Sequence, residues 1–158
     1  MTCNVGGMTA LKTVTLTAEL LDKLPLGVLQ DCQTIAGEIQ RDAAVMLLDG
    51  TPPPYDLMIS LTDTALLLQI GSTEMPIHFS PLRRLMIDYD LMIGAHGSAL
   101  RHHAPHSRSE AIDMGRRAMH NEGAEMILKQ LAPYLTADLG TARLLFTLLF
   151  LLTQRRQA

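Results

Sequence analysis

The stretch YDLMISLTDTALLLQIGSTEMPIHFSP, residues 55–81, decides the fold. Its hydrophobic period is two: Leu57, Ile59 and Leu61 share one side of an extended chain, and Leu66, Leu68 and Ile70 share one side of the next. Thr62 and Asp63 supply the intervening turn, since short polar side chains hydrogen-bond their own backbone there. The two segments therefore read as a hairpin. GSTEM, residues 71–75, makes the next turn, and Ile77 with Phe79 continues as a third strand. Pro76 lacks an N–H and so favours a strand start or a sheet edge. A sheet built this way is mostly antiparallel, and helices must cover one of its faces.

Working upstream, residues 13–17 alternate, with Val14 and Leu16 on one side and threonines on the other, the pattern of a short first strand. After Pro25, positions Val28, Leu29, Cys32, Ile35, Ala36, Ile39, Ala43, Met46 and Leu47 recur at helical spacing until Gly50 and TPPP stop the run. This predicts an amphipathic helix with Cys32 on its core side. Residues 1–10 contain Gly6 and Gly7 and read as a flexible extension, leaving residues 11–158 as a single domain.

Working downstream, Ser80 followed by Pro81 marks a helix start: a hydroxyl cap and a first-turn proline whose missing N–H is not needed there. Leu82, Leu85, Met86, Tyr89, Met92, Ile93 and His96 then share one side, Arg84 and Asp88 stand at pairing distance, and Ile87 and Leu91 point to a second surface. Ser80, Arg83 and Arg84 are a candidate anion site, with simple capping the better reading. His102, His103 and His106 fall in the loop predicted between Gly97 and Ser109. They are weak metal candidates, because the spacing is not that of a closed site, and no metal or other cofactor is expected.

The next helix is predicted from near Arg108 to Leu131, opened by a Ser107–Glu110 capping box. Ile112, Gly115, Met119, Gly123, Met126 and Ile127 lie on one side, where the two glycines predict a notch for another helix. The polar side carries Glu110, Asp113, Arg116, Arg117, His120, Asn121 and Glu122, the candidate ligand-binding set. Arginine forks beside an imidazole suit an anion or a proton transfer, although such a set also serves as an ordinary solvated ion network.

Asp138 is expected to start the last helix, in which Arg143, Thr147 and Gln154 form a narrow polar stripe in a leucine-rich surround. Such a helix is buried nearly all round, either as the centre of the helical layer or against a second copy through Leu144, Leu145, Leu148, Leu149 and Leu152. Its apolar run falls short of the roughly 20 residues a membrane span needs. The element order is thus β-α-β-β-β-α-α-α, an α+β domain with a small antiparallel sheet, one crossing helix and three packed C-terminal helices.

EAIDMGRRAMHNEGAE, with SPLRRLMIDY before it and TARLLFTLL after it, resembles Uncharacterised Protein Family 0262, and the likeness runs from about Leu11 onward. The resemblance implies a bacterial chain of similar length; it carries no activity, cofactor or site. The stretch LMIGAHGSALRHHAPH departs from the family pattern, in which an aromatic-containing segment follows the Asp-Tyr pair.

Composition narrows function further. With 47% hydrophobic and 18% charged residues the chain is not disordered, and its formal charge of -3 argues against bulk nucleic-acid binding. The two cysteines imply no disulfide framework, and the first residues lack a secretory pattern, so a cytoplasmic location is expected. Phosphate-loop, dinucleotide and nucleophile-elbow motifs are missing. The expectation is a non-catalytic regulatory or protein-interaction domain, with an anionic-metabolite binder or enzyme on the polar helix face as the alternative.

Overall fold

The computed structural model describes residues 10–101 and 106–154, with the side chains of 94–101, 106–113 and 154 outside that description. Its sheet is built on the period-two stretch. β3 (Tyr55–Leu61) and β4 (Ala65–Ile70) form the hairpin, and β5 (Thr73–His78) pairs antiparallel with β4. The turn before β5 is tighter than GSTEM suggested. Ile70 pairs with Thr73, so only Gly71 and Ser72 lie between the strands, and Gly71 takes the left-handed φ of 61° that such a loop needs. Thr62 ties the other turn: its Oγ1 accepts from the Ala65 N–H at 3.0 Å.

β1 (Leu11–Leu16) pairs with β3 in parallel, giving the order β1-β3-β4-β5. The register skips one residue between Leu11 and Thr13. That bulge brings Leu11 onto the same face as Val14 and Leu16, which strict alternation forbids. The inner face then carries Leu11, Leu16, Tyr55, Leu57, Ile59, Leu66, Leu68, Met75 and Ile77, all buried. Asp56 and Met58 look outward, and Thr13 Oγ1 donates to Asp56 Oδ1 across the parallel pair at 2.7 Å. Pro76 sits on β5, an edge strand, as its missing donor requires.

Helices cover the inner face. After β1 come a short α1 (Ala18–Asp22), absent from the expected order, and the crossing helix α2 (Leu26–Asp42), which buries Cys32, Ala36 and Ile39. α2 stops earlier than the apolar spacing predicted. Val45–Leu47 is instead a strand, β2, pairing antiparallel with β6 (Leu135–Ala137), so Met46 and Leu47 belong to a two-stranded ribbon. Tyr55 fastens this ribbon: its hydroxyl accepts from the Leu47 N–H at 3.1 Å and donates to the Thr51 carbonyl at 2.7 Å.

A 3-10 turn at Ser80–Leu82 leads into α3 (Arg83–Arg101). Phe79 holds the cap position and no side chain caps the turn, so the expected Ser80 cap is replaced by the backbone bond from the Leu82 N–H to the Phe79 carbonyl. α3 runs past Gly97, and α4 (His106–Leu131) already includes Ser107, which is therefore inside the helix and not its cap. His102 and His103 lie outside the described residues, as does the side chain of His106.

α5 (Leu139–Gln154) starts as expected, Asp138 Oδ1 accepting from the Thr141 N–H at 2.9 Å. It lies between α2 and α4 over the central strands, where Leu145 meets Leu57 and Leu68 around a small apolar void of about 20 Å³. Leu145, Leu148, Leu149 and Leu152 are each no more than 3% exposed. Four of the five leucines expected to receive a second copy are thus buried within one chain, because α2 and α4 close over both flanks of α5; Leu144 is half-buried.

Both sheet edges are covered by glutamines. Gln130 of α4 accepts from the His78 N–H at 2.8 Å and donates to the His78 carbonyl at 3.1 Å, mimicking one rung of a neighbouring strand on β5. Gln40 of α2 accepts from the Val14 N–H of β1 at 3.3 Å. Unpaired backbone groups on edges invite pairing with other chains, so these amides also guard against it.

Candidate functional site

The candidate residues converge where α3, α4 and α5 meet. Two glycines let α4 approach its neighbours. A Cβ on Gly115 would stand 3.0 Å from Met92 Cε of α3, and one on Gly123 would overlap the Phe146 ring of α5. The notch expected from sequence is therefore two notches, one for each partner helix.

Between them sits His120, half-buried. Its Nε2 lies 3.0 Å from the Arg143 carbonyl oxygen and 2.9 Å from Thr147 Oγ1. The Thr147 hydroxyl in turn donates to the same carbonyl, one turn back along α5, at 3.1 Å. A neutral imidazole carrying its proton on Nε2 satisfies this geometry. The ring is boxed by Tyr89 of α3, at 6.0 Å between centroids, and by Phe146 at 5.3 Å. Tyr89 also meets Phe146 and Phe150 edge-on, at 5.3 and 4.8 Å.

Burial holds the His120 pKa below its ordinary value, and the positive charges of Arg143 and Arg116 act in the same direction; the bond to the Arg143 carbonyl opposes them. Arg143 is steadied by α4, donating from Nη1 to Asn121 Oδ1 at 3.1 Å. The seam thus assembles Arg116, His120 and Asn121 from the candidate set and adds Arg143 from α5. Chemically it offers fixed positive charge beside a neutral ring, with Nε2 engaged in holding two helices together.

The other candidates fall elsewhere. Arg117 and Glu122 are exposed, and the side chains of Glu110 and Asp113 lie outside the described residues. Ser80, Arg83 and Arg84 are exposed at the start of α3, where Arg84 pairs with Asp88 at 3.7 Å. Among the described residues no three His, Cys, Asp or Glu side chains are placed to hold a metal ion. Cys32 is fully buried, and burial followed by the charge of Asp31 pushes its thiol up to about 11, which makes it a core residue and not a nucleophile. Sequence reasoning missed Arg143, Phe146 and Thr147 as partners of His120. Only the Arg143–Thr147 polar stripe on an otherwise apolar helix hinted that something polar faces it.

Fold and seam together define an α+β domain, a mixed four-stranded sheet with its helices packed on one face. The chain belongs to the uncharacterised protein family UPF0262, whose model matches residues 10–155. It is 41% identical over 135 residues to a UPF0262 protein of Rhizobium meliloti, covering 75% of this chain and 85% of the relative. A UPF0262 protein of Granulibacter bethesdensis is 35% identical over 157 residues, covering 90% of this chain and 88% of that one. One from Caulobacter vibrioides is 39% identical over 100 residues, 61% of this chain and 62% of its own length. No solved structure matches the chain. Among the described residues no helix is long and apolar enough to cross a membrane.

Proposed function

We propose that this chain is a non-catalytic regulatory domain of the cytoplasm that binds a protein partner on the outer face of the α3–α4 hairpin. The observation that carries the reading is an apolar patch there: Ile87, Leu91 and Met114 are 42%, 66% and 64% exposed. Their placement together follows from the packing. Met92 meets Gly115 and Tyr89 meets His120, so contacts move back along α3 as they move forward along α4, and the helices run antiparallel. Leu91 and Met114 each precede a contact residue by one position, a rotation of about 100° on a helix. In an antiparallel pair those rotations have opposite sense and carry both side chains to the same side, with Ile87 one turn below Leu91. Contiguous exposed apolar side chains on a well-packed domain mark association surfaces.

The chemistry at the seam fits this reading. His120 Nε2 is engaged with Arg143 and Thr147 of α5, which gives it a structural task. A second reading, an anionic-metabolite site, draws on Arg116 and Arg143 flanking the same ring.

The test is affinity capture from the source bacterium with wild type and the Leu91→Glu and Met114→Glu variants in parallel, each checked by circular dichroism. One partner retained in stoichiometric amount by wild type and lost from both variants is the expected result. Equal capture by all three refutes the α3–α4 face. Saturable phosphate or carboxylate binding that disappears in Arg143→Ala, with no partner on the hairpin, favours the second reading instead.

A further inference from the structure

A groove of about 430 Å³ opens at the carboxyl ends of β1 and β3, away from the α3–α4 face and independent of it. β1 and β3 are the sheet's parallel pair; the chain continues from Leu16 into α1 and from Leu61 into the turn to β4. In open sheets, ligands bind in crevices outside the carboxyl ends of parallel strands. The volume falls in the range of small-molecule sites, roughly 300–1,000 Å³.

The lining is amphipathic. Leu20 and Leu152, 3% and 1% exposed, make the floor with Leu24 and Leu61 beside them. Glu19 and Lys23 stand on the α1 wall and Asp63 on the opposite turn. Glu19 and Lys23 have the i,i+4 spacing at which such side chains commonly pair, yet they form no ion pair with each other. Thr17, the cap residue of α1, makes no capping bond with its hydroxyl and also lines the groove. A cap threonine normally commits that oxygen to the helix. Opposite charges left apart, a hydroxyl turned from its usual task and a leucine floor are together matched by a small molecule with both charges at one end and a branched hydrocarbon at the other.

We propose that this groove binds a free aliphatic α-amino acid. Lys23 faces its carboxylate, Glu19 faces its ammonium group, and the half-buried Leu24 and Leu61 receive the side chain over Leu20 and Leu152. No bond is made or broken; the site is one of recognition.

The test is a two-dimensional amide NMR titration of the full chain with three probes: L-leucine, isoamylamine, which lacks the carboxylate, and 4-methylpentanoate, which lacks the amine. The expected result is saturable binding of leucine with shifts confined to α1, the Thr62–Asp63 turn and the last turn of α5, and binding of each one-charge analogue at least about ten-fold weaker. Glu19→Gln and Lys23→Met, both at exposed positions, should each weaken leucine by about ten-fold while leaving the spectrum elsewhere unchanged. Leu91→Glu should leave leucine binding as in wild type, which separates this site from the partner-binding face. Absence of saturable leucine shifts in the groove, equal binding of either analogue, or indifference to both variants overturns the proposal.

Discussion

Replacing Gly123 with alanine tests the packing that assembles the candidate site. The added methyl would stand 2.5 Å from Phe146 Cδ1, closer still to Cε1, and 3.0 Å from Cζ. Phe146 cannot easily withdraw, being fully buried with Tyr89 against its edge and His120 beside it. Relief therefore requires α4 and α5 to move apart or the ring to leave its rotamer, and overpacking of this kind costs about 1–3 kcal/mol. Against it stands the helix-propensity gain of glycine to alanine, about 1 kcal/mol. Since the overlap involves ring carbons and not a flexible chain end, the upper part of the range applies, leaving a net destabilisation of about 2 kcal/mol. Gly37→Ala in α2 is the control, because nothing lies within 4 Å of the new Cβ and the propensity gain acts alone. It should stabilise by about 0.5–1 kcal/mol. Urea denaturation measures both as midpoint shifts at constant m. In a domain of this size the Gly123 variant should melt roughly 4–8 °C lower. If Gly123→Ala is as stable as Gly37→Ala, the close approach of α4 and α5 is refuted.

Three further outcomes follow from the structure. Burial lowers the His120 pKa, so below the ordinary imidazole value the unfolded chain binds more protons than the folded one; the urea midpoint should fall as pH drops through about 6.5, and a His120→Asn variant should show a shallower fall. Gln130→Ala removes both bonds to the His78 backbone and should cost about 1–2 kcal/mol, read as faster amide exchange at His78; unchanged exchange there would show that the edge needs no cover. Iodoacetamide at pH 8 should leave Cys32 of the folded chain unmodified and label it in urea, since burial holds the thiol at about 11.

Much of the fold was legible because local chemistry and tertiary structure agree. The period of two over residues 55–79, with short polar or glycine turns, determined the meander, and Asp138 fixed the start of α5 by a bond within three residues. Gly115 and Gly123 announced close approach, and the nearly all-round apolar surface of α5 required burial, at the centre of the layer or against a second copy. β2 and β6 were not legible: each is three residues long, too short for a period, and exists through pairing across the chain. The bulge beside Lys12 likewise depends on register with β3, which alone puts Leu11 on the inner face.

The site divides in the same way. Sequence placed Arg116, His120 and Asn121 on one helix, since helical spacing is a local property. Only the tertiary structure decided that His120 faces the Arg143 carbonyl and Thr147, residues 23 and 27 positions away, and that two guanidinium groups stand by one ring. It also decided that α2 and α4 enclose Leu145, Leu148, Leu149 and Leu152 of α5 within a single chain. The reason is that a helix face records which side chains avoid water, while what they meet there is set by how the layers close around one core.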